Sequence, residues 1–133
     1  MRAWLDAQVG DAYALAPASA DASFRRYFRV TTAEGTRIAM DAPPPREDCR
    51  PFVKVAALMH EAGVHAPQVL AQDIERGFLL LTDLGTTTYL STIRADNADA
   101  LFSDAIDTLI RWQLASRPGV LPPYDEALLR REM

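Results

Sequence analysis

Apolar positions recur every two residues through much of the front of the chain and every three to four in the back. Residues 2–9 place Trp4, Leu5 and Val9 on one side of a short amphipathic helix that Gly10 ends. Residues 23–32 mix aromatic, β-branched and arginine side chains with partial two-residue alternation; Phe24, Tyr27, Phe28 and Val30 are the strand formers. A hairpin turn at 33–36 leads into a return strand over 37–42. Pro43, Pro44 and Pro45 stop that ladder, because proline has no amide hydrogen to donate.

A helix begins near Arg50, since Pro51 suits a first helical turn and Glu47 and Asp48 lie close to its positive end. Phe52, Val55, Ala56 and Met59 follow at helical spacing, and Gly63 ends the helix. Residues 64–73 and 77–82 read as two strands joined by the turn at 74–77, the second fully buried because its leucines run without a polar break. Past Gly85 the pattern is helical: a short helix over 88–93, then a long one over 98–116 with Leu101, Phe102, Ala105, Ile106, Leu109 and Gln113 inward. A final helix starts at Asp125 and puts Leu128, Leu129 and Met133 on one face. This order predicts an α+β fold, a small antiparallel sheet with one packed helix and then helices. The break at Gly85 divides residues 1–84 from 85–133.

At 133 residues, 49% apolar and 24% charged, the chain has the size and balance of one globular core. A net charge of -4 argues against nucleic-acid binding, which needs a clustered basic face. Lys54 is the only lysine, and such arginine usage fits either phosphate recognition or coding bias. The single Cys49 excludes an internal disulfide; with no long apolar run and no signal-like start, a soluble cytoplasmic protein away from membranes is expected.

Two places carry candidate chemistry. The small residues Ala20, Asp21, Ala22 and Ser23 form a turn between strands that lets backbone amides approach a phosphate, although a plain hairpin has the same composition. Leu81, Thr82, Asp83 and Leu84 leave a buried strand and so offer an apolar slot with backbone donors and acceptors at its rim, as a nucleotide base requires; a core strand followed by a loop looks the same.

The ordered combination Asp21-Ala22-Ser23-Phe24-Arg25-Arg26-Tyr27-Phe28-Arg29-Val30, Met40-Asp41-Ala42-Pro43-Pro44, Asp48-Cys49-Arg50-Pro51-Phe52 and Leu81-Thr82-Asp83-Leu84-Gly85, with Tyr89-Leu90 after it, resembles the aminoglycoside-phosphotransferase-like kinase family. The resemblance implies a protein-kinase-like N-terminal lobe that binds ATP, followed by the first helices of a C-terminal lobe. It also implies magnesium and, in the complete enzyme, an amino-sugar acceptor. Under it, the turn at Asp21, Ala22 and Ser23 meets the phosphates with Arg25 as a candidate beside it, the backbone of Thr82 and Leu84 bonds the adenine edge, Leu81 backs the pocket, Asp83 lies at its rim, and Ile38 and Met40 lie near its faces.

The family pattern is broken in one place. Kinase-like folds hold the α- and β-phosphates with a lysine on the strand after the first hairpin, yet residues 37–42 contain none and Arg37 is at the wrong end. Arg25, Arg26 and Lys54 are the alternatives, each also readable as a surface charge, and Glu61 has no lysine to orient. His60 and His65 lack ligands at metal spacing; Cys49 reads as a passive thiol; Trp4 and Trp112 read as packing residues; Asp99, Asp104 and Asp107 form a solvated face. No His-x-Asp occurs, since His60 precedes Glu61-Ala62 and His65 precedes Ala66-Pro67, so no catalytic residue is assigned. The expectation is the front portion of a longer sugar kinase, inactive alone, with magnesium ligands beyond Met133. A catalytically dead binding module is the alternative. Leu109, Trp112, Leu128, Leu129 and Met133 would then be uncovered, which predicts self-association.

Overall fold

A computed structural model describes residues 1–20 and 23–132. One five-stranded sheet, entirely antiparallel, is ordered β1-β2-β3-β5-β4, from β1 (Ala14–Ala20), β2 (Arg26–Thr32), β3 (Gly35–Asp41), β4 (Val69–Asp73) and β5 (Phe78–Thr82). Helix α1 (Arg2–Val9) covers one face and α2 (Arg50–Glu61) the other. The short α3 (Tyr89–Thr92), the long α4 (Ala98–Ala115) and α5 (Glu126–Glu132) follow. The α+β architecture with α2 packed on the sheet is as expected, α1 covers the second face, and β5 is the buried strand its leucines indicate.

Alternation along the central strands divides their side chains between two cores. Leu80, Ala39 and Val30 pack against Trp4 and Leu5 of α1, where the Trp4 and Phe78 rings lie 5.7 Å apart. Leu79, Leu81, Met40 and Ala42 pack on the other side with Cys49, Phe52 and Val53, at and within α2. A buried leucine stabilises such a core by about 1.5–3 kcal/mol, so β5 makes a large contribution from one short segment.

The sequence pattern misses β1. Its residues, Ala-Leu-Ala-Pro-Ala-Ser-Ala, have low strand propensity, and pairing with β2 makes the strand. Pro17 is tolerated because β1 is an edge strand. The register shifts between Pro17 and Ser19, so Ala18 bulges out of the ladder. The strand predicted to start at residue 23 begins at Arg26, and Phe24 lies outside it with the Arg46 guanidinium 4.9 Å over its ring. Residues 64–68, predicted as strand, are irregular up to Val69.

Gly77 closes the turn before β5 so tightly that only glycine fits. Its φ is +73° and a Cβ there would fall 1.9 Å from the Ala42 carbonyl oxygen, while its own carbonyl accepts from the Ala42 amide at 2.8 Å. The turn thereby ties the end of β3 to the start of β5.

The helical back departs most from expectation. None of the 18 residues of α4 is buried. Phe102, Ile106 and Leu109, expected inward, are each more than half exposed, and Leu114 is 82% exposed. An amphipathic stripe finds a core only where another element covers it. Polar ties hold this region instead: Arg111 donates to the Gly63 carbonyl at 3.2 Å, the Tyr89 hydroxyl to Asp104 at 2.8 Å, and Lys54 to the Val120 carbonyl.

Candidate functional site at the end of β5

A cavity of about 260 Å³ opens where β5 leaves the sheet. Leu81 and Ile38 form its apolar floor, paired across β5 and β3. Tyr27, Phe52 and Pro67 wall it, the bulged Ala18 reaches it from β1, and Thr82, Asp83, Leu84 and Gly85 form its rim. Four predicted positions, Leu81, Thr82, Asp83 and Leu84, therefore meet Ile38 at one place. Met40 lies on the same face of β3, one alternation further along, but is fully buried beneath and does not line the cavity.

An ion pair sets the rim. Arg29 on β2 donates to Asp83 through Nε at 2.6 Å and Nη2 at 3.1 Å, and Nη2 also reaches the Gly85 carbonyl at 3.2 Å. The Gly85 amide donates back to Asp83 at 2.9 Å. Hydrogen bonds from Arg29 hold the Asp83 carboxyl well below the usual carboxylate range; burial opposes this, while the Gly85 amide and the Thr36 side chain add to it. The side chain of Asp83 is 4% exposed, so its charge is almost wholly committed to shaping the loop after β5. At Thr82 the backbone amide donates to the Gln68 carbonyl and the hydroxyl accepts from the Gln68 amide. Among the described residues no group hydrogen-bonds the backbone amide or carbonyl of Leu84. A residue with an unpaired backbone donor and acceptor thus stands among those lining an apolar slot.

The predicted phosphate turn lies at the far end of β2. Asp21 and Ala22 are outside the described residues. The Ser23 hydroxyl accepts from the Arg25 amide at 3.2 Å. Arg25 donates through Nε to Glu47 at 3.0 Å, and the Phe24 amide donates to the other Glu47 oxygen at 3.1 Å. Arg26 pairs with the buried Asp41. All three alternatives to the missing lysine are therefore engaged within the chain, Arg25 and Arg26 by carboxylates and Lys54 by a carbonyl. Cys49 is buried at the start of α2, and burial pushes its thiol up, away from a stabilised thiolate.

Sequence reasoning did not single out Arg29, Tyr27, Phe52 or Glu47 for the site. Two-residue alternation from Ile38 through its partner Arg29 could have placed Arg29 and Tyr27 on the cavity side. Glu47 sits in an irregular segment where no period applies.

A model of the phosphotransferase enzyme family matches residues 14–133. The chain belongs to that family. Among its relatives, the N-acetylmuramate/N-acetylglucosamine kinase of Pseudomonas aeruginosa is 61% identical over 119 residues, covering 90% of this chain and 35% of the relative. The protein of the same name from Pseudomonas putida is 54% identical over 98% of this chain and 42% of its own length. The Neisseria meningitidis protein of that name is 44% identical over 87% and 36%. The chain thus spans between 35 and 42% of the length of these three relatives.

A larger cavity, about 800 Å³, separates the end of α2 from the loop after α4 and is lined by Leu58, Ala62, Trp112, Pro118 and Leu121. It has more room but lies away from the residues that carry the family resemblance. The cavity at β5 is the better candidate in this family member, because buried charge, apolar walls and unpaired backbone groups converge there. Among the described residues no group of three or more His, Cys, Asp or Glu side chains could hold a metal ion, and no helix is long and apolar enough to cross a membrane.

Proposed function

We propose that residues 1–84 are the nucleotide-binding lobe, and 85–133 the hinge and first helices, of a kinase that transfers the γ-phosphate of ATP to an amino-sugar hydroxyl in the cytoplasm. The observation that carries the reading is the slot at the end of β5, whose Leu84 amide and carbonyl are unpaired within the described chain beside walls of Leu81, Ile38, Tyr27 and Phe52. An adenine ring fits that pattern, its flat faces against the apolar walls and its edge against backbone groups. The names of the relatives support an N-acetylmuramate or N-acetylglucosamine acceptor.

Each residue has a limited task. Ile38, Leu81 and Phe52 exclude water from the base. The Arg29–Asp83 pair fixes the course of residues 83–85, so that the Leu84 groups are presented without reorganisation on binding. Magnesium supplies charge neutralisation at the phosphates when bound, and no described residue set here forms its site. With no His-x-Asp in the sequence, the hydroxyl-positioning carboxylate comes from outside these residues, and the chain alone does not turn over ATP.

Titration of the isotope-labelled chain with ATP tests the reading. The expected dissociation constant is high micromolar to millimolar, roughly 4 to 6 kcal/mol, with resonances of Ile38 and of Thr82, Asp83 and Leu84 shifting together. Leu84→Pro removes the amide donor and abolishes binding. Shifts confined to other surfaces, or steady ATP hydrolysis by the purified chain, would overturn it.

A further inference from the structure

The strand that carries a phosphate-binding lysine in kinase-like folds carries Met40 here, fully buried in the core with Leu79 and Leu81. A triphosphate brought to this sheet still needs a cation on the cavity side. Parity along β2 decides which residue provides it. Phe28 and Val30 pack towards α1, and Arg26 belongs with them, in register with Asp41 and paired to it. Tyr27 and Arg29 face the cavity. Arg25 continues that second set, and its partner Glu47 comes from the segment leading into α2, which packs on the cavity side.

Arg29 is already committed to Asp83 and the Gly85 carbonyl. Arg25 lies four residues nearer the turn, just before the first residue of β2, a span of about 13 Å if the chain there stays extended. From the cavity, that is the direction in which the sheet continues towards the turn after β1. A base held at Leu84 would therefore send its ribose past Tyr27 and its phosphates towards Arg25. Burial opposes the charge on Arg25, but hydrogen bonds to Glu47 and Tyr27 outweigh it and raise its pKa above the ordinary arginine value. Glu47 holds two points at once, the guanidinium through Arg25 Nε and the turn backbone through the Phe24 amide. Glu47 takes Nε and Tyr27 shares in the hydrogen bonding, and a guanidinium carries five N–H donors, so donors remain for a second acceptor.

We propose that Arg25 is the cation that binds the nucleotide's phosphates, with Glu47 as the positioning residue that orients it, the two together standing in for the lysine and helix glutamate of other kinase-like folds. This rests on the nucleotide-binding reading above. It predicts a division of labour: the cavity at β5 recognises the base, and Arg25 recognises only the phosphates.

The test compares ATP with adenosine, each titrated without metal into the chain and its variants. Arg25→Ala should weaken ATP about tenfold, the scale of one charge-assisted hydrogen bond, and leave adenosine unchanged. Arg25→Lys should lose about threefold, since the charge survives but the planar fork does not. Glu47→Gln should also weaken ATP selectively, and Arg26→Ala should change neither ligand. Unaltered adenosine binding in each variant shows that the fold is intact. Equal weakening of both ligands by Arg25→Ala, or weakening of neither, overturns the assignment while leaving the nucleotide reading in place. Tighter ATP binding by Glu47→Gln would make the pair a lock rather than an orienting device and also overturn it. Failure of both ligands to bind the unaltered chain removes the nucleotide reading and this inference together.

Discussion

β5 and α4 are both rich in large apolar residues, yet β5 buries three consecutive leucines while α4, more than three times as long, buries none. The difference is one of neighbours. β5 is flanked by β3 and β4 and covered on both faces, so each leucine loses its water whichever way it points. α4 has no covering layer among the described residues, and polar ties such as Arg111 to Gly63 fix its position without making a core. Apolar content alone therefore does not locate stability. The sheet region folds around its own interior, and the helical region is placed against it with its apolar stripe open.

Substitutions can break or sharpen that contrast. Leu79→Ala in β5 should cost about 3 kcal/mol or more by chemical denaturation, the transfer loss plus an unfilled cavity. Ile106→Ala in α4 should cost less than about 0.5 kcal/mol in the same experiment. Equal costs would show α4 packed in solution and end the comparison.

Gly77→Ala should destabilise by about 3 kcal/mol, because the new methyl meets the Ala42 carbonyl and the left-handed backbone there resists a side chain. Gly119→Ala in the helical region has an equally positive φ of +78° but nothing within 4 Å of the added atom. It should cost about 1 kcal/mol, the conformational part alone.

Asp83→Asn should cost about 2 kcal/mol at neutral pH by removing a buried charge partner of Arg29. Its pH dependence has a definite sign. The folded-state pKa of Asp83 lies below the unfolded value of about 3.9, so the stabilisation is complete above that value and fades as pH falls through the folded one. Urea denaturation from pH 5 downwards should show the unaltered chain losing its advantage over Asp83→Asn; an undiminished gap at the acid limit would mean the ion pair is not what Asp83 contributes.

The smallest effect on folding is expected where the effect on association is clearest. Glutamate at both Ile106 and Leu109 should leave the denaturation midpoint of the monomer nearly unchanged. It should also lower any concentration-dependent self-association, which the exposed stripe of α4 is expected to drive in sedimentation experiments. A chain that stays monomeric at high concentration before any substitution would contradict this.

By itself the sequence determined what local pattern and backbone chemistry can reach. The leucine run of β5, the proline stop after β3, the helix that opens with Arg50 and Pro51, and Leu81 to Leu84 as a strand end were all legible, because alternation, helical spacing and proline's missing donor act within a few residues. Tertiary structure alone decided the rest. β1 is a strand because β2 offers it a ladder, not because alanine and proline favour one. Asp83 turns to Arg29, 54 residues away in sequence, and Glu47 to Arg25, 22 residues away, through pairings that no local period encodes. The inward face expected of α4 is outward because burial belongs to a pair of surfaces, and one helix supplies only one of them.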